Sequence, residues 1–105
     1  MSDEIKKIAD HFGERKQLCL LMEEAGEMIQ AANKVLRASD GDSEKSRGES
    51  IISLAEEIAD VQMVIAQVEY LLNIEPDTLK QIQDFKTKRV GKAIERENSK
   101  KRETE

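Results

Sequence analysis

The chain carries six acids in two matching arrays. "LMEEAGEM" at 21–28 sets Glu23 and Glu24 side by side, with Glu27 three residues on; "LAEEIADV" at 54–61 repeats this with Glu56, Glu57 and Asp60. Glu24/Glu27 and Glu57/Asp60 are the only two acid pairs at i, i+3 spacing in the sequence. At 100° per residue such a pair shares one helix face. In the first segment that face also carries Leu20 and Ala31, and in the second Ser53, Val64 and Leu71, whereas Glu23 and Glu56 point further out. A solvated face is polar throughout; pairs bracketed by apolar or small residues turn toward protein or a cleft. Carboxylates gathered in a poorly hydrated place repel one another and hold protons tightly unless a cation compensates. An oxygen-only ligand set selects a hard ion, Mg²⁺ or Mn²⁺, over zinc or copper, and Mg²⁺ is commonly shared with substrate phosphates. The residues alone suggest a Mg²⁺–phosphate site. The competing reading is an acidic surface and nothing more.

Bringing four carboxylates together takes two antiparallel helices. From Glu14 to about Ala38 apolar residues recur at three- and four-residue steps: Leu18, Leu21, Met22, Ala25, Ile29, Ala32 and Leu36. "ASDGDSEKSRGES" at 38–50 is polar and reads as a loop, with Ser50 as N-cap of the next helix. That helix runs to about Leu72 with a stripe of Ile51, Leu54, Ile58, Val61, Ile65, Val68 and Leu72. A short amphipathic segment at 3–12 (Ile5, Ile8, Ala9, Phe12) precedes them, broken by Gly13. After "NIEPDT", Pro76 suits the first turn of a last helix, which Leu79, Ile82, Phe85, Val90 and Ile94 carry to about Arg96. The pattern predicts an all-α fold, a bundle of three long helices plus a short N-terminal one. It fills one domain over 1–98, and the polar tail 99–105 is expected to fray.

Composition agrees with helix and excludes several classes. Of 105 residues 38% are hydrophobic and 37% charged, with a single proline and 3% aromatics. So few large side chains make a modest core, and apolar residues on more than one face of the two middle helices predict an oligomer. The net charge of −5 argues against general affinity for nucleic acid. No apolar run approaches the length needed to span a bilayer, and "MSDEIKKIADHF" is too polar for a secretory signal. The lone Cys19 excludes an internal disulfide and fits a reducing cytoplasm.

With those residues in hand, the chain resembles the MazG-type all-α nucleoside triphosphate pyrophosphohydrolases. Their Glu-Glu-x-x-Glu motif is matched by Glu23, Glu24 and Glu27 in "EEAGE", and their Glu-x-x-Asp motif by Glu57 and Asp60 in "EEIAD". The resemblance covers roughly residues 11–95. It implies hydrolysis of a nucleoside or deoxynucleoside triphosphate to the monophosphate and pyrophosphate, in the manner of an enzyme that cleans nucleotide pools. It further implies that Glu24, Glu27, Glu57 and Asp60 hold Mg²⁺, or Mn²⁺, with Glu23 a further ligand or the group that orients the attacking water. Lys86, Lys88, Arg89 and Lys92 would then neutralise the polyphosphate, and the assembly would be a homodimer or homotetramer. From their positions in the chain, Gln17 and Phe12 are candidates for base contact.

Blander readings stand beside these. Glu23 and Glu56 read equally as solvent-exposed acids, and the bases of 86–102 as helix-end charges. His11 reads as a helix-end histidine, and Cys19, between Leu18 and Leu20, as a small buried residue. One histidine cannot supply the repeated Glu-x-x-His of a di-iron carboxylate bundle. The acidic third helix has the wrong sign for DNA recognition, although the fourth is basic. An all-helical interaction or adaptor module without catalytic activity is the alternative that survives.

Overall fold

A computed structural model describes residues 2–42 and 44–104 as four helices and their connections: α1 (Asp3–Phe12), α2 (Glu14–Ser39), α3 (Arg47–Leu71) and α4 (Pro76–Thr104). Two compact units divide them, Met1–Asn73 and Ile74–Glu105, each taken by itself.

Local chemistry sets the helix ends. The Ser2 side chain accepts a hydrogen bond from the Ile5 N–H at 3.3 Å, and Asp3 and Glu4 in the first turn complement the helix dipole. Gly13 ends α1 at φ +86°, where a side chain would be strained, and donates its N–H to the Ala9 carbonyl. The expected N-cap at Ser50 is replaced by Ser46. Its hydroxyl accepts from the Glu49 N–H at 3.1 Å, capping the helix, and donates to the Glu49 carboxylate at 3.2 Å. Ser-x-x-Glu at 46–49 thus starts α3 four residues early and leaves Ser50 buried inside the helix. The final helix also departs from expectation: it continues past Arg96 and through "ENSKKRET" to Thr104. Glu97 and Lys101 stand four apart in the favourable order and Lys101 and Arg102 sit in the last turn, so propensity and charge order hold a segment that has no apolar residue.

Within the first unit α2 and α3 pack antiparallel and α1 lies against both. The core is small-residued: Ala9, Ala31, Val61, Val64 and Val68, joined by Gln17, Ser50 and Gln67. Side chains of this size let α2 and α3 approach closely. Gln17 donates an amide N–H to the Gln67 side-chain carbonyl, satisfying two polar groups that are each 2% exposed. The Tyr70 hydroxyl donates to Asp10 at 2.9 Å and ties α1 to α3.

On α2 packing uses a different arc from the strongest apolar stripe, whereas on α3 Val61 and Val68 of the expected stripe are buried. Met22, Ile29 and Leu36 of the α2 stripe are 65–68% exposed, while Ala31, on the arc that carries the acids, is buried. On α3 the buried residues are Ser50, Val61, Val64, Gln67 and Val68. The acid-bearing arcs are the ones turned toward each other.

Candidate acidic site between α2 and α3

The antiparallel register sets Gln17 opposite Gln67 and, one layer on, Glu24 opposite Asp60. Glu24, Glu57 and Asp60 each offer a carboxylate oxygen within 4.8 Å of the others. Glu27, exposed and outside that group of three, still acts on both Glu24 and Glu57 through its charge. Two helices therefore bring together three of the four carboxylates that the spacing singled out.

The cluster is electrostatically unfavourable. Burial pushes the Glu24 carboxyl above the ordinary glutamate value of 4.5, and the charges of Glu27, Asp60 and Glu57 add to the rise. Glu57 is pushed up in the same way, by burial first and then by Glu27 and Asp60. Glu24 Oε2 and Glu57 Oε2 are shut off from solvent and have no hydrogen-bond donor among the described residues. A buried carboxylate oxygen without a donor costs free energy that a cation would restore. The donor set is all oxygen, compact and net negative, and so fits Mg²⁺ or Mn²⁺.

Glu23 stands outside the group formed by Glu24, Glu57 and Asp60. It is exposed and lines a groove of about 400 Å³ with Ile8 and Phe12 of α1, Lys16, Cys19 and Leu20 of α2, and Met63 and Val64 of α3; Gln17 and Gln67 also border it. Leu20 and Val64 lie one turn from Glu24 and Asp60, so the groove begins beside the acids. Glu56 is exposed.

Gln17 lines this groove but is 2% exposed, with its amide N–H committed to Gln67. Base contact through that N–H would require breaking the buried pair. Cys19 is exposed, contrary to the expectation of burial, because its position turns away from the packed arc toward the groove. His11 is exposed in the last turn of α1, its ring edge-on to Phe12. Sequence reasoning missed Gln67, although a signal existed. It lies two turns after Asp60 as Gln17 lies two turns before Glu24, and antiparallel pairing puts such positions in one layer.

The basic candidates belong to the second unit. Lys86, Lys88, Arg89 and Lys92 are exposed on α4. Lys88, Arg89 and Lys92 fall on one arc of that helix, whereas Lys86 falls among Val90 and Ile94 on the apolar side.

Comparison with protein-family models, with curated proteins and with solved structures finds no match to this chain, so the resemblance to the MazG-type enzymes rests on the acid motifs themselves.

Proposed function

We propose that the protein is a nucleoside triphosphate pyrophosphohydrolase that uses Mg²⁺, or Mn²⁺, to release the monophosphate and pyrophosphate. The observation that carries this reading is the pair of shielded, donorless oxygens, Glu24 Oε2 and Glu57 Oε2, within a compact group of carboxylates. Glu24, Glu27, Glu57 and Asp60 would hold the ion, which when bound screens phosphate charge and acidifies water. Glu23, at the edge of the groove, would orient the attacking water and take its proton. The water oxygen forms a bond to the α-phosphorus as the bond to the α–β bridging oxygen breaks, and pyrophosphate leaves with that electron pair. Lys88, Arg89 and Lys92 are candidates to neutralise the polyphosphate, a task suited to their charge and donor geometry. The groove walled by Phe12, Leu20, Met63 and Val64 would take the uncharged part of the nucleotide.

We place the protein in the cytoplasm as a homo-oligomer. This is supported by the lone Cys19 and by the apolar surface that the first unit leaves exposed. No helix among the described residues is long and apolar enough to cross a membrane. The adaptor reading draws on the same exposed surface and differs in chemistry. The deciding experiment incubates the protein with a panel of normal and modified triphosphates, with Mg²⁺ and with chelator, scoring monophosphate and pyrophosphate. Mg²⁺-dependent pyrophosphate release that disappears in Glu57→Gln is expected. No release from any member of the panel would favour the adaptor.

A further inference from the structure

Helix α1 walls the groove with Ile8 and Phe12, yet it is lightly attached. Ala9 is its one buried residue, whereas Ile8 is 40% and Phe12 45% exposed. Among the described residues its side chains make two polar contacts with α3, and both are to Tyr70. The Tyr70 hydroxyl donates to Asp10 at 2.9 Å, and the Lys6 ammonium stands 5.9 Å from the centre of the Tyr70 ring. Lys6 and Asp10 are one turn apart, so they grip a single side chain from one face of α1. Asp10 is exposed, and water competes for its bond.

The joint to α2 is a single residue. Gly13 has φ +86° and ψ 169°, a combination essentially confined to glycine. A Cβ there would meet nothing within 4 Å, so the constraint comes from the backbone and not from crowding. Glycine also reaches other conformations without steric cost, so the whole change of direction between two helices can take place at this joint. Phe12, beside the joint, keeps a contact across it: the Lys16 ammonium lies 4.9 Å from its ring. Asp10 and Lys6 stand further out along α1, and a rotation about Gly13 displaces them more than Phe12. Behind the wall, Gln17, Val64 and Gln67 border the groove but are each 2% exposed. A ligand meets residues so placed only when a wall moves.

We propose that α1 is a hinged gate on the groove, swinging about Gly13 to admit a ligand and latched shut when Tyr70 engages Asp10 and Lys6. An apolar group in the groove covers Ile8 and Phe12, so occupancy favours the docked helix. Closure of this kind excludes water and sets how fast ligands exchange. The gate is independent of catalysis; that its ligand is a nucleoside triphosphate rests on the proposed function.

Pulsed dipolar spectroscopy tests it on the full chain with Cys19→Ser, spin-labelled at Lys7→Cys on α1 and Gln30→Cys on α2, both exposed positions. Without ligand, a second distance is expected beside that of the docked helix. Tyr70→Phe keeps the ring and removes the hydroxyl, and should raise the open-to-docked ratio about fivefold. Gly13→Ala should raise it as well, because alanine leaves the docked φ. Labels at Gln30→Cys and Gln62→Cys span α2 and α3, and should keep one distance in every variant, which separates opening from loss of the fold. Mg²⁺ with a non-hydrolysable triphosphate should return the docked distance. One distance in the wild type and in both variants overturns the gate. A broad distribution that is alike in all three proteins is fraying of a short helix, and overturns it too. A gate that responds to both variants but not to the nucleotide upholds the hinge and removes the nucleotide reading of the groove.

Discussion

Glu24 and Glu57 each place one oxygen where neither water nor a donor reaches it, and each has its carboxyl pushed above the ordinary glutamate value. If these acids and Asp60 hold a cation, Glu24→Gln or Asp60→Asn should lower pyrophosphate release by at least about a hundredfold. Even outer-shell partners of bound metals cost 10–100-fold, and these would be direct ligands. The fold should survive, since each change keeps side-chain volume and removes repulsion; normal activity in a folded variant would remove the site. The same two shifts fix a pH dependence. Between 4.5 and the raised values, the folded protein binds more protons at Glu24 and Glu57 than the unfolded chain does. Their contribution is therefore greatest below 4.5 and is lost as pH rises through the raised values. Melting temperature of the metal-free protein should fall as pH rises above 4.5, and Glu24→Gln/Glu57→Gln should flatten that fall. An equally steep decline in the double variant would assign the dependence to other groups.

Ser46 and the Gln17–Gln67 pair decide how the elements begin and how they align. Ser46→Ala removes the acceptor for the Glu49 N–H and should cost about 1 kcal/mol, read as a lower midpoint in urea unfolding. Ser50→Ala removes a buried hydroxyl that has no hydrogen-bond partner among the described residues and should cost less, which separates the actual cap from the expected one. Gln17→Leu leaves the Gln67 carbonyl without its donor and should destabilise by roughly 1–3 kcal/mol. Adding Gln67→Leu should recover much of that loss, because both polar partners are then gone. A double variant as weak as the single would show that the amides matter for shape rather than for pairing. The helices themselves were legible in the sequence through three- and four-residue periodicity, Gly13 and Pro76. The start of α3 was not read correctly: two serines four residues apart both suit a cap, and the acid at Glu49 favours Ser46.

At the scale of the whole molecule, the acidic cluster couples cation binding to stability. An ion that binds only the folded state adds about 2.7 kcal/mol at a hundredfold excess over its Kd. For a domain this size that is a rise in melting temperature on the order of 10 °C. Mg²⁺ with a non-hydrolysable triphosphate should therefore raise Tm well beyond Na⁺ at matched ionic strength. Glu57→Gln should lose most of the difference. Equal shifts for the two salts in both proteins would reduce the cluster to surface charge. The two units carry charge unevenly, with the bases from Lys86 to Arg102 all on α4 and the six motif acids all on α2 and α3. An oligomer would bring several of each into one assembly.

The sequence by itself determined the all-α class, the extent of α2 and the grouping of Glu24 with Glu27 and of Glu57 with Asp60. All three follow from 100° geometry and local propensity, which act along a single helix. It placed Val61 and Val68 of α3 correctly in the packed arc but could not determine which arc of α2 would be packed. α2 and α3 each carry two arcs with apolar residues, and a wheel ranks them by hydrophobicity alone. The tertiary structure chose the arcs with small residues and paired polar groups: Ala31, Val61, Val64, and Gln17 on Gln67. These let two backbones come close, and the register they fix brings the acids of both helices within 4.8 Å. The bulkier stripe of Met22, Ile29 and Leu36 was left outward for the same reason. Close approach is a property of two surfaces together, and a periodicity describes only one.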